Sequence, residues 1–316
     1  MKTARKIISY TLWTIVLFYL GVAVLLHVPA VQQWTGGIVA SALAGKLGTR
    51  VQIGRVDLGF LNRIIIDDVQ IWDQHRQKML SAGRLSAKVD LVPLFDGQVR
   101  ISSAQAFGLA ANLYQQNAAT PLNFQFVLDS LASTSKSPKT PLDLQIQSLV
   151  IRNGAVSWNR HDIAPTARKF NPAHLNITGL STHIILNKLT DDSISLKVKH
   201  FALKEASGLD VRSLKFRFNA GKHSASLSNF VLNLPQSHLA LPSLTARYRM
   251  KGKQLDKESL SYHVLLSPSS IRPADRTFIE PALKRLHQQV TLQAEVKGTA
   301  KQMDISRLRL ESSDHT

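Results

Sequence analysis

Hydrophobic and polar positions along this chain change their period twice. From Ile7 to Val28 the sequence IISYTLWTIVLFYLGVAVLLHV contains no Asp, Glu, Lys or Arg. As a helix rising about 1.5 Å per residue it would span about 33 Å, enough for a hydrocarbon core of about 30 Å. Val28-Pro29-Ala30 could pass for a leader-cleavage site. However, the apolar run is longer than the roughly 7–15 residues of a signal-peptide core, and the reading is a retained single-span anchor. Lys2, Arg5 and Lys6 precede it and place the N-terminus in the cytoplasm, with everything after Pro29 exported. Tyr10, Trp13, Tyr19 and Trp34 are candidates for the membrane interface.

The second regime covers residues 30–48. Val31, Trp34, Ile38, Val39, Ala42, Leu43 and Leu47 follow helical spacing, and Gly48 suits the residue just past a helix C-terminus. With Lys46 as the segment's one charge, it reads as a short helix capping a sheet rather than one lying on a membrane.

From Thr49 onward the period is two. Alternating stretches occur at Val51–Leu58, Ile64–Trp72, Arg84–Leu91, Val99–Leu109, Leu142–Ile151, Ala155–Trp158, Ile194–Leu203, Val211–Phe218 and Ser224–Leu232. Asp96-Gly97, Asn153-Gly154 and Asn219-Ala220-Gly221 read as turns between them. One helix is expected at Leu122–Leu131, followed by a flexible Ser/Lys/Pro loop over residues 133–141. The pattern divides the chain into a cytoplasmic N-terminus with its anchor (1–29), a capping helix (30–48), a first β segment (49–132), the loop, and a continuing β segment (142–316).

Within the β regime an eight-residue form recurs, φ-x-φ-x-x-φ-x-φ with φ apolar: VQIGRVDL from Val51, VRISSAQA from Val99, LQIQSLVI from Leu144, LKVKHFAL from Leu196, ASLSNFVL from Ala225 and MDISRLRL from Met303. Strict alternation would send its two φ pairs to opposite faces. The extra central residue must therefore be absorbed by a bulge or bend if both pairs are to face one way. Irregular spacing of the copies excludes a tight β-helix. A curved, open antiparallel sheet fits, with Val51, Ile53, Ile64, Ile66, Leu144, Ile146, Leu196 and Val198 as candidates for an apolar trough. The last copy stops at Leu310, a few residues before Thr316, so the chain is expected to end inside its fold.

Charge adds a constraint. Lys+Arg number 39 against 21 Asp+Glu, a formal +18, which implies contact with anionic surfaces. Lys197, Lys199, Lys215, Arg217, Arg247 and Arg249 are spread through strands without aromatic platforms, which together with export argues against nucleic acid. In LKFRF, Lys215 and Arg217 alternate with Leu214, Phe216 and Phe218, the mark of one wet basic face and one apolar face. No catalytic set can be assembled from the residues. The 11 His show no metal spacing, His161-Asp162 reads as an exposed turn, and Asp67-Asp68 and Asp191-Asp192 read as turn acids. Neither Gly54–Gly59 nor Asn176-Ile-Thr178 carries a site, and with zero Cys there is no disulfide framework. No cofactor, metal or enzymatic activity is expected; a type II membrane enzyme is the weakest alternative.

Val28–Gln116, with the preceding anchor, the LFDGQVRI turn (Leu94–Ile101), the NFQFVLDSL segment (Asn123–Leu131) and LQIQSLVIRNGAVSWN (Leu144–Asn159), resembles the N-terminal portion of TamB-like proteins of the AsmA superfamily, in the branch found in Bacteroidetes. The resemblance is good to about Asn159 and thinner to Leu232. It implies an inner-membrane protein with a periplasmic β-groove, shielding and conducting phospholipid acyl chains between the inner and outer membranes. A second role it implies is scaffolding outer-membrane β-barrel assembly or secretion. Family members are far longer, and their C-terminal domain has no counterpart in these residues.

Overall fold

The computed structural model describes residues 28–59, 62–90, 99–134, 142–166, 169–190, 192–252, 254–276, 279 and 288–312, with scattered residues between Lys6 and Val24. The protein is mainly β. Its contacts divide it into two units, Met1–Ala106 with Asn123–Gln145, and Phe107–Leu122 with Ile146–Thr316. The division differs from one drawn at the 133–141 loop, because the chain leaves the first unit and returns before reaching that loop. Residues 135–141 of the loop, and most of the LFDGQVRI turn, lie outside the described residues.

The described residues from Lys6 to Val24 are helical, and among the described residues no helix is long and apolar enough to cross a membrane. Much of Ile7–Val28, with Lys2 and Arg5, lies outside them. Helix α1 then runs Pro29–Leu47, entered at Pro29 and closed by Gly48 at φ 63, whose N–H donates to the Ala44 carbonyl. That C-terminus is the one its sequence foretells. The packed stripe is different. Gln32, Gly36 and Ala40 are buried, whereas Trp34 and Ile38 are 69% and 49% exposed. Gly36 explains the rotation. A Cβ there would lie 3.3 Å from Arg55 Cα and 3.5 Å from the Gly54 carbonyl, so the helix backbone approaches the sheet too closely for a large side chain.

In this unit β1 (Val51–Gln52), β2 (Arg55–Gly59), β3 (Arg63–Trp72), β4 (Lys78–Val89) and β5 (Val99–Phe107) form a sheet ordered β1-β3-β4-β5, with β2 also on β3. The β3–β4 hairpin closes on Asp73, 1% exposed, whose Oδ1 accepts the His75 and Gln77 amides at 2.9 Å each. Helix α2 covers Gln125–Thr134, a few residues later than the pattern indicates.

The second unit is one sheet. β6 (Ala110–Gln115) lies parallel to β7 (Leu142–Arg160), and from β7 an antiparallel series runs through β8 (His174–Thr190), β9 (Ser193–Glu205), β11 (Ser213–Ala220), β12 (Ser224–Asn233), β13 (His238–Lys251), β14 (Gln254–Ile271), β15 (Val290–Thr299) and β16 (Met303–Ser312). The short β10 (Asp210–Val211) adds to β9. Alternation had not marked β6, β8, β13, β14 or β15. The two stretches Leu142–Ile151 and Ala155–Trp158 are one strand, and Asn153 is not a turn.

Asn153 belongs instead to a bend device. Asp68, Asn153 and Asn229 have φ of 56°, 53° and 53°, each in mid-strand. Asp68 and Asn229 are each the second residue between two apolar ones, Ile66-Asp67-Asp68-Val69 and Leu227-Ser228-Asn229-Phe230, while Asn153 precedes Gly154. Asn and Asp tolerate this left-handed region better than other non-glycine residues. Elsewhere the extra residue appears as a register shift. Lys199 is the surplus in β9 against β8, Ser306 in β16 against β15, and one residue between Ser228 and Val231 in β12 against β11. The face is preserved across the bend, since the Phe216 and Phe230 rings lie 6.2 Å apart although Leu227 and Phe230 differ by an odd number of positions.

Asn229→Val forces a β-branched residue into that conformation and should cost about 1–2 kcal/mol, whereas Asn229→Gly should be nearly neutral. Denaturant unfolding of both variants in neutral detergent checks this; equal loss in the two would show that the asparagine side chain, not its φ, is what matters.

Candidate functional site

Directly opposed residues in an antiparallel ladder share a face, so the registers can be read as rows across the second unit's sheet. One row runs Leu186, Leu196, Phe218, Leu227, Leu244, Val264, Val296, Ile305, apolar at every strand from β8 to β16 on the main path. A second, on the same face, runs Ile194, Ala220, Ala225, Ala246, Tyr262, Gly298, Met303. Tyr262 takes the space beside Gly298, where a Cβ would meet its Oη at 2.6 Å, so an aromatic ring fills the gap in that row.

The reverse face carries the alternate rows. One is Lys188, Ser195, Asn219, Ser226, Thr245, His263, Lys297, Asp304, with scarcely an apolar atom beyond side-chain stems. Glu295 accepts hydrogen bonds there from His263 and Lys297, both at 3.1 Å, and these hold its carboxyl below the ordinary glutamate value, Lys297 most strongly.

Among the described residues, no helix covers the apolar rows. Each residue of the first is partly exposed, Ile305 to 46%. Among the described apolar residues of this unit, only Ala111, Ala173, Val198 and Val211 are buried. Bends let the face continue past each surplus residue: Leu232 opposes Leu239, and with Leu234 and Ile271 they line one shallow depression. At the bend in β14, Ser269 is wholly buried, its hydroxyl donating to the Ser267 carbonyl at 2.8 Å and accepting from the Ala240 amide at 3.0 Å. β16 leaves Met303, Leu308 and Leu310 more than half exposed along the edge of this sheet.

No protein-family model, curated protein or solved structure matches this chain.

The trough candidates fare unequally. Leu196 lies in the first apolar row and Val198, 6% exposed, beside it opposite Phe216. Leu144 and Ile146 belong to β7, but their side chains fall outside the described residues. Val51, 7% exposed, pairs with Ile71, and Ile53 meets Gly36 of α1; this pair belongs to a helix-covered core rather than an open face. Ile64 and Ile66 oppose Leu58 and Val56 in the first unit's sheet and are half-buried. Phe218, Leu227, Leu244, Val264 and Val296 were missed as site residues. Several stand in recognisable repeats or alternations, but which strands bring them side by side is not local information.

The candidate cation sites also resolve. Among the described residues no three His, Asp or Glu are grouped to hold a metal ion. His161 and Asp162 occupy a turn, where the His161 ring stacks on Tyr114 at 5.2 Å and Asp162 pairs with Arg160 at 2.7 Å. Asp191 lies outside the described residues, and Asp192 pairs with Lys222 at 2.8 Å on the surface. Asp67 and Asp68 are not turn acids: both sit inside β3. Asp68 is a bend residue, and Asp67 is gripped by Arg55 at 2.7 Å and Arg84 at 2.6 Å from the flanking strands. The Arg84 hydrogen bond, reinforced by Arg55 against the opposing effect of burial, holds the Asp67 carboxyl below its ordinary value.

A depressed carboxyl pKa contributes stability above the unfolded value of about 4, and that contribution is lost as pH falls through the folded value. Asp67→Asn should therefore cost about 1–2 kcal/mol at neutral pH, moderated because both guanidinium groups are half-exposed. Unfolding measured from neutral pH down to strongly acidic conditions should show the difference shrinking to nothing below about pH 4. A gap that persists in acid would mean that packing, not charge, is responsible.

Proposed function

We propose that this chain is an inner-membrane-anchored, periplasmic β-groove protein that shields phospholipid acyl chains from water and conducts them between the inner and outer membranes. The observation that carries the reading is the apolar face that no described helix covers, continuous from β8 to β16 at one level of the sheet. Each CH₂ kept from water is worth roughly 0.8 kcal/mol, so an acyl chain laid across such rows gains several kcal/mol without chemistry. The apolar stretch Ile7–Val28 behind Lys2, Arg5 and Lys6 supports an anchor with a cytoplasmic N-terminus. The resemblance of Val28–Gln116 to TamB-like proteins of the AsmA superfamily supports the same assignment. Only α1 separates the apolar stretch from β1, which favours lipid entry near the outer leaflet of the inner membrane.

A second reading rests on β16. It is the edge of this sheet among the described residues, and its apolar side chains are exposed. Such an edge can template another strand, which favours a scaffold for an outer-membrane β-barrel precursor.

The two readings separate by crosslinking in Gram-negative cells. An aromatic photo-crosslinker replacing Phe218 should capture lipid, and the same group at Asn219, on the reverse face, should not. Val264→Asp should reduce capture at Phe218 several-fold. Equal capture on both faces, or none, would end the acyl-chain reading, whereas capture of a β-barrel precursor at Leu308 with no lipid at Phe218 would establish the scaffold.

A further inference from the structure

The basic face carries a feature that neither reading uses. Lys197 and Arg217 are directly opposed on β9 and β11, a like-charge pair on one face, and such pairs destabilise a sheet. Lys199 and Lys215 stand two residues further along the same strands, so the sheet holds a block of four cations. None of the four has an acidic partner among the described residues; the row of Lys197 and Arg217 continues through Ser228, Ser243 and Leu265 to Glu295, which is four strands away from Arg217 and is paired with His263 and Lys297.

The block is also recessed. Lys199 is the surplus residue of β9, Asn229 is the left-handed residue of β12, and Pro242 interrupts β13, so the sheet bends along one line. That line holds a depression of about 620 Å³, lined by all four cations and by apolar residues of both faces, Val231, Ala240 and Pro242 on one hand and Val198, Phe216 and Phe230 on the other. Lys215, Val231 and Ala240 form one cross-strand row, which sets a short apolar wall beside the charge. The neighbouring His183 is held below its ordinary value, first by burial and then by Lys199 and Arg152, as expected where positive potential accumulates.

We propose that Lys197, Lys199, Lys215 and Arg217 bind a phosphate-bearing anion in this depression. Lys197, Lys215 and Arg217 are held by backbone pairing with Lys199 at the bulge beside them, a preorganised receptor, and an anion there relieves the repulsion the sheet otherwise carries. The apolar wall fits a lipid headgroup with the start of its glycerol and chains, but free phosphate has the same charge chemistry. Lysine protection by inorganic phosphate is read without any acyl chain, so the failure of this site and the failure of the acyl-chain reading are separate outcomes.

The test uses the full chain in neutral detergent, with lysine acylation read residue by residue by mass spectrometry. Short-chain phosphatidylglycerol and inorganic phosphate are the probes. Either should slow acylation of Lys197, Lys199 and Lys215 several-fold while leaving Lys297 and Lys301 unchanged, and added salt should erase the protection. Protection by the lipid alone assigns a headgroup; equal protection by phosphate assigns the free anion. A variant with Lys197→Gln, Lys199→Gln, Lys215→Gln and Arg217→Gln should melt at the same or a higher temperature without ligand, and should lose the ligand-induced rise in melting temperature. The proposal is overturned by uniform acylation with both probes, by a ligand-induced rise that survives the variant, or by stronger protection from a single-stranded oligonucleotide than from either probe.

Discussion

Everything about this sheet depends on the two-residue period of the β pleat. Side chains must alternate, yet the repeat φ-x-φ-x-x-φ-x-φ places its two apolar pairs an odd number of residues apart. A flat strand would bury one pair and strand the other in water. In copies of the repeat the second unit resolves the conflict locally, with Asn229 at positive φ in β12 and a surplus residue in β9 and β16, and bends of the same kind occur outside the repeat at Asn153 of β7 and in β14. The cost falls on a few backbone positions, and the gain is an apolar face that survives from strand to strand. Where one strand bends its neighbours follow: Asn229 of β12 lies beside Pro242 of β13, and the β14 bend at Ser267–Pro268 is pinned through Ser269 to Ala240. Proline can stand there because a bulge needs no ladder donor at that position.

The two units treat their apolar residues differently. In the first, α1 is laid on the sheet through Gly36, and Val51, Val69, Met79 and Ala82 become conventional core. The Asp67 carboxylate, between two arginines, ties three strands together. In the second, no described helix packs on the strands, and the large side chains of the apolar row remain partly exposed. Large apolar faces left open mark interaction sites, and this contrast between the described residues of the two units, more than any single residue, motivates the proposed lipid-handling assignment.

Much of this was legible in the sequence, and what was not has a common cause. Gly48 marks the end of α1 because a left-handed cap needs glycine, a strictly local requirement. The need for bends follows from counting positions. Their chemistry does not: Asn153-Gly154 has the composition of a turn, and only pairing with β8 on both sides shows that the strand runs through it. Likewise, Trp34 and Ile38 have the right spacing for a packed stripe, but the small residues Gly36 and Ala40 win the contact because the helix sits so close. The apolar row was hidden for the opposite reason. Its members are individually ordinary, and their alignment depends on the register of every intervening hairpin.

That alignment has a kinetic meaning. Successive strands are about 4.8 Å apart, and each presents an aliphatic or aromatic side chain at the same level of the row from Leu186 to Ile305. A flexible hydrocarbon laid across them and displaced by one strand finds nearly the surroundings it left. Such a surface has translational degeneracy rather than a lock: no position is strongly preferred, so the barriers between positions are low compared with the total adhesion. Were an acyl chain its occupant, as proposed, the face would act as a rail, holding the chain in the transverse direction while letting it diffuse along the sheet.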